Sequence, residues 1–181
     1  MKKALITILG LVMTPMVAVA QPDFSGSWEP DTERSEPAPS ELYRYGHGGS
    51  PEPVPQSDLR IEQDGNTIEV FEDAIGAAFY YNSHSRVLSR YAVPAVYIAD
   101  GQERTVTIGS NGVTEQEMTA RWEDNKLVIE IEKPWGNMPG NVMLNTREEW
   151  MLSPDGDTLY ITMQHNWPAE NIAYTLVYNR Q

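Results

Sequence analysis

The chain contains no cysteine in its 181 residues. Disulfide staples, thiolate metal sites and thiol nucleophiles are thereby excluded, and stability must come from burial and hydrogen bonding. Basic residues are scarce too, with 13 Lys and Arg against 26 Asp and Glu. A surface of that sign repels nucleic acid and anionic lipid, so neither is an expected partner. Histidine occurs at His47, His84 and His165, without the short spacing of a preformed metal site. No metal and no cofactor is therefore expected. Helical periodicity is not sustained over three turns anywhere, and no motif for a known reaction is present.

The one long apolar run opens the chain. Lys2 and Lys3 precede a mostly apolar Ala4 to Val12, and Ala18-Val19-Ala20 is a small-x-small cleavage site. Pro15 interrupts the run, which is too short to span a bilayer comfortably, so residues 1–20 read as a secretory signal and membrane insertion is not expected. Cleavage there leaves 161 residues, enough for one domain with one core. The product is expected to be periplasmic or secreted. Without Lys2 and Lys3, 11 basic residues face 26 acidic ones, a net charge of −15 that chiefly favours solubility.

Residues 21–181 then read as a single all-β domain. A first strand carries Asp23-Phe24-Ser25-Gly26-Ser27-Trp28. Residues 30–57 hold six prolines, Pro30, Pro37, Pro39, Pro51, Pro53 and Pro55, together with Gly46, Gly48 and Gly49. Missing donors and flexible glycines predict a long loop there, of the length that often serves as a lid. From Asp58 the pattern alternates with period two. Leu59 to Glu62 and Ile68 to Val70 flank the Asp64-Gly65 turn. Further hairpins turn at Glu123 to Lys126 and at Pro154 to Asp157, and a last strand runs from Ile172 to Asn179. Such sequential antiparallel strands hide their edges best when a meander of eight to ten strands closes into a barrel.

Turn positions fix which side chains share a face, because a strand alternates faces at each residue. Trp122 opposite Leu127 groups Met118, Ala120, Trp122, Leu127, Ile129 and Ile131. Leu152 opposite Leu159 places Trp150 against Ile161, Glu148 against Met163 and Thr146 against His165. These faces are apolar enough to form the interior, which puts Thr146, Glu148 and His165 inside as polar groups. Glu148 and His165 become diagonal neighbours, a pairing suited to acid–base work near neutral pH or to a structural contact at the barrel mouth.

The order of motifs resembles a group of exported bacterial lipocalin-like, calycin-type barrels of mostly unassigned function. It rests on the D-F-S-G-x-W opening, Ile61-Glu62-Gln63-Asp64-Gly65-Asn66-Thr67, Asp100-Gly101, Trp122 with Leu127 to Glu130, and Glu148 to Leu159. The resemblance implies that Trp28 plugs the closed end beneath Arg180, and it brings no catalytic residue with it. Residues 72–99 depart from the pattern as an aromatic-rich insert, holding Phe79, Tyr80, Tyr81, Tyr91 and Tyr97, five of the 17 aromatics.

Three functions remain open at this point. The first is a binding module that holds a small hydrophobic or aromatic ligand, with Tyr80, Tyr81, His84, Tyr91, Arg121, Trp135 and Thr146 as ligand-facing candidates. The second is a cofactor-free isomerase, lyase or hydrolase using Glu148, His165 and a tyrosine such as Tyr174 or Tyr81, with Arg121 or Arg147 to hold an anion. The third is an envelope interaction protein, to which a homodimer through residues 72–99 would belong.

Overall fold

The computed structural model describes residues 21–36, 57–73, 95–108, 114–134, 143–166 and 171–181. They form ten strands: β1 Gly26–Pro30, β2 Asp58–Asp64, β3 Thr67–Asp73, β4 Ala95–Ile98, β5 Glu103–Ile108, β6 Thr114–Glu123, β7 Lys126–Pro134, β8 Met143–Leu152, β9 Thr158–Asn166 and β10 Asn171–Arg180. All belong to one antiparallel sheet in the order β4-β3-β2-β1-β10-β9-β8-β7-β6-β5. Every neighbour in that order is also a neighbour in the chain, except that β1 pairs with β10. This is the all-β antiparallel meander that the alternating pattern predicts. It curls into a half-barrel in which β4 approaches β6. The edge strands β4 and β5 are joined by a tight turn, anchored where Ala99 N donates to Asn66 O and Gly101 N to Ala120 O.

The hairpins predicted from the turns have the predicted register. Trp122 faces Leu127, Leu152 faces Leu159, and Thr146 faces His165. Two-residue turns set this frame at Gly65-Asn66 and Asp124-Asn125, with positive φ at Gly65 and Asp124. Given that frame, alternation sends Ile129, Trp150, Ile161 and Met163 to one buried face.

The two ends of the half-barrel differ. The tight turns, the chain from Gln21 to Gly26 and the end of β10 share one end, and the longer connections leave from the other. The tight end is packed with aromatics. Phe24 stacks on Trp122 at 5.8 Å between ring centroids and meets Trp150 edge-on at 6.1 Å, while Tyr97 contacts Trp150 at 5.9 Å. Trp28 is fully buried, donates through Nε1 to Phe24 O, and lies under the Arg180 guanidinium at 4.3 Å. The Trp28–Arg180 arrangement is the one that the resemblance implies. Phe24, Tyr97 and Trp150 enlarge the plug beyond it.

Two sequence boundaries change. Residues 72–99 are not a continuous insert, since β3 runs to Asp73 and Ala95–Ile98 is strand β4. Tyr97 is a core residue at 1% exposure, and the connection between Asp73 and Ala95 lies outside the described residues. The Pro-rich stretch likewise begins as an ordered strap. Asp31 N donates to Val177 O and Glu36 N to Thr175 O, so residues 31–36 follow β10 beyond the end of β1. Ser35 Oγ accepts from Val177 N, and Glu36 Oε2 accepts from Thr175 N. Val177 is buried, although its neighbours in the alternation, Leu176 and Tyr178, take the inner face.

Candidate functional site

The inner wall of β7 to β10 is built in rows across the sheet. The lowest full row, Leu127, Trp150, Ile161 and Leu176, is apolar apart from the indole nitrogen. The next row holds Ile129, Glu148, Met163 and Tyr174, and the one above it Ile131, Thr146, His165 and Ile172. Thr146, Glu148 and His165 are the buried polar or charged side chains among the described residues, with exposures of 5%, 0% and 0%. Burying such groups costs free energy unless they are hydrogen-bonded, so their grouping on one wall needs a structural or functional cause.

Part of the cause is visible in the bonding. His165 Nδ1 lies 3.0 Å from Thr146 Oγ1, directly across the β8–β9 pair. Either atom is the donor, according to the imidazole tautomer. The His165 ring stacks on Tyr174 at 5.8 Å with 27° between planes. Glu148 Oε2 accepts a hydrogen bond of 2.9 Å from Trp150 Nε1, two residues along the same strand face. Because Trp150 is wedged against Phe24 and Tyr97, the aromatic plug orients the carboxyl group. The wall therefore presents a carboxyl, a hydroxyl, an imidazole and a phenol from three consecutive strands, above a packed floor.

Of the residues singled out from the sequence, Thr146, Glu148, His165 and Tyr174 come together on this wall. Arg121 does not. It points to the outer face, where its Nε donates to Glu123 Oε1 at 2.8 Å and its Nη1 to Glu130 Oε2 at 2.6 Å. Alternation alone opposes Arg121 to Trp122, and that is the signal that places it outside. Arg147, the other proposed anion holder, also lies outside, bonded to Glu149, Glu130 and Glu123. Tyr80, Tyr81, His84, Tyr91 and Trp135 lie outside the described residues, as do His47 and 74–94 of the proposed dimer segment.

Arg121 and Arg147 belong to an outer-face network with Glu123, Lys126, Glu130 and Glu149. Its centre in the sheet register is Val128, which is completely buried although it faces away from the lumen. The hydrogen bond from Arg121 holds the Glu123 and Glu130 carboxyls below their usual range, helped at both by Arg147. Lys126, followed by Arg147, does the same for Glu149.

Three residues of the site region were not singled out from the sequence as parts of it: Trp150 as donor to Glu148, and Phe24 and Tyr97 as its supports. The spacing of Glu148 and Trp150 was available as a signal, since residues two apart on a strand share a face. Tyr97 gave no such signal, because its contact with Trp150 crosses the barrel.

No protein-family model and no curated protein matches the chain. Among solved structures, zebrafish ileal bile acid-binding protein complexed with cholic acid is similar over 87% of this chain and 98% of its own, with 16% identity and a TM-score of 0.48. That similarity concerns the chain path alone and transfers neither residues nor ligand.

Proposed function

We propose that this protein is an exported binding module that holds a small, largely apolar ligand against the β8–β10 wall, above the aromatic floor. The observation that carries the reading is the set of three buried polar side chains, Thr146, Glu148 and His165, grouped on one face of the mostly apolar interior formed by the described residues. Apolar sites with a few convergent polar groups are the common form of a small-molecule pocket, the polar groups fixing orientation and the apolar surface supplying affinity. The plug closes the tight end, so a ligand enters from the end where the longer connections leave.

Native mass spectrometry of protein purified from its own host, followed by titration with an apolar fluorophore, tests this reading. A co-purified mass or saturable binding with energy transfer from Trp150 supports it. A ligand-free protein that binds no apolar probe overturns it. Export is tested separately by cell fractionation and N-terminal sequencing, with Gln21 as the expected first residue.

The geometry of His165 favours a second reading, a cofactor-free enzyme. Its ring is fixed by Thr146 and Tyr174 and lies diagonal to Glu148, an arrangement suited to proton transfer. A compound that is turned over, with rate lost but binding kept in Glu148→Gln and His165→Ala, would establish it. Unchanged turnover in both variants would exclude these residues.

A further inference from the structure

Resting on the binding reading above, we infer that residues 21–25 are a positioning segment of the site: their docking sets the aromatic floor on which the ligand lies, although none of them belongs to the ligand wall. The sheet register of β1 starts at Gly26 opposite Ile61. There the chain turns away through the φ of Gly26, +135°, which other residues rarely adopt. The segment before it reaches across the tight end, since Phe24 meets Trp122 on β6 and Trp150 on β8, both distant from β1 in the sheet order.

The bonds that tie the segment down run through side chains. Gln63 on β2 accepts from Phe24 N at Oε1 and donates from Nε2 to Pro22 O, both at 3.0 Å, while its own N–H donates to Ser25 Oγ at 3.2 Å. Gln21 Nε2 and Trp122 Nε1 both donate to Asn66 Oδ1 at 3.2 Å, and Arg180 Nη1 donates to Ser25 O at 2.5 Å. Release of residues 21–25 therefore leaves the strand ladder of the sheet intact.

Phe24 carries the effect inward. Its ring is fully buried, lies within 3° of parallel to Trp122, and meets Trp150 edge-on at 84°. Edge-on contact fixes the tilt of the neighbouring ring as well as its depth. Trp150 stands in the lowest full row of the wall, and its Nε1 donates to Glu148 Oε2 in the row above. Tyr97 supports the same indole from β4. Removing Phe24 takes away one of these two rings and opens a void beside Trp150, into which the indole tilts. Floor and carboxyl orientation then change together.

The test uses the full-length exported protein, with N-phenyl-1-naphthylamine as the lumen probe. The ¹³C shift of the Glu148 carboxyl reports its bond from Trp150. Phe24→Ala is expected to move that shift and to weaken probe binding about fivefold, equivalent to about 1 kcal/mol. Gln63→Met, which releases the segment but leaves every ring in place, is expected to act in the same direction by a smaller factor. Val128→Ala is the control, because it lowers stability from the outer face without touching the segment, and it is expected to leave both readouts unchanged. A Glu148 shift or a probe affinity that stays native in Phe24→Ala overturns the inference. So does an equal loss of affinity in Val128→Ala, since the effect would then be one of general stability. In both cases probe uptake by the native protein leaves the binding reading standing. If Phe24→Ala does not fold, Gln63→Met decides on the same two readouts. A native protein that takes up no probe overturns both readings.

Discussion

Arg180→Ala tests the closed end most directly. The guanidinium lies over the Trp28 ring at 4.3 Å and donates to Ser25 O at 2.5 Å and to Gly156 O at 3.0 Å. The cation–π contact is worth about 1 kcal/mol at a partly exposed position. Each bond from a charged donor adds on the order of 1–1.5 kcal/mol, because water replaces part of it. A loss of about 3–4 kcal/mol follows, read as a lower urea midpoint at unchanged slope, with a melting temperature lower by about 2–4 °C per kcal/mol in a protein of this size. Gly26 supplies the internal check. Its φ of +135° is rarely adopted by other residues, and an added Cβ would sit 2.7 Å from Arg180 Nη1. Gly26→Ala therefore strains the backbone and also pushes the guanidinium off its partners. In the Arg180→Ala background only the backbone term is left, so the double variant should be less destabilised than the two single losses combined, by about 1 kcal/mol or more. Additivity within about 0.5 kcal/mol would show that the guanidinium does not clamp this turn.

Four further outcomes follow from the same geometry. Val128→Ala should cost about 1.5–2.5 kcal/mol despite its outward direction, whereas Val96→Ala, at 43% exposure, should cost under about 0.5 kcal/mol; equal effects in denaturant melts would deny that the ion pairs cover Val128. Thr146→Val should cost about 1 kcal/mol and shift the ¹⁵N resonances of the His165 ring, since the hydroxyl is its partner at Nδ1; unchanged ring shifts would refute that partnership. Glu123, Glu130 and Glu149 have carboxyls held below their ordinary 4.5, so the stability they contribute is complete above that pH and is lost as the pH falls through their lowered values. Arg147→Met should flatten that acid limb, and a limb of unchanged steepness would count against the network. Trp150→Phe deletes the donor to Glu148 Oε2 and should cost about 1–3 kcal/mol, while an exposed Met151→Leu should be nearly silent in the same melt.

Strand register was legible in the chain because the turns are short and the alternation is strict. Asp124-Asn125 between Trp122 and Leu127, and the Pro154 to Asp157 turn between Leu152 and Leu159, allow few pairings once one face must be apolar. That was enough to bring Thr146 opposite His165 and Glu148 to the lumen. The same alternation opposes Arg121, one of the ligand-facing candidates, to Trp122, and the structure puts it outside. The aromatics of residues 72–99 were less legible. Tyr97 looks like its neighbours Tyr80 and Tyr91 in composition, yet it lies on a four-residue strand and packs across the barrel.

Local spacing and the need to bury apolar side chains thus settled, from the amino acids alone, the all-β class, the meander and the direction of most strand residues. Tertiary structure alone decided the contacts between residues far apart in the chain. It wedged Trp150 between Phe24 and Tyr97, and thereby directed its indole N–H at Glu148. It also closed a lattice of charges over Val128. Alternation reports which face a residue takes, but the curvature of the sheet determines which residues then meet across it.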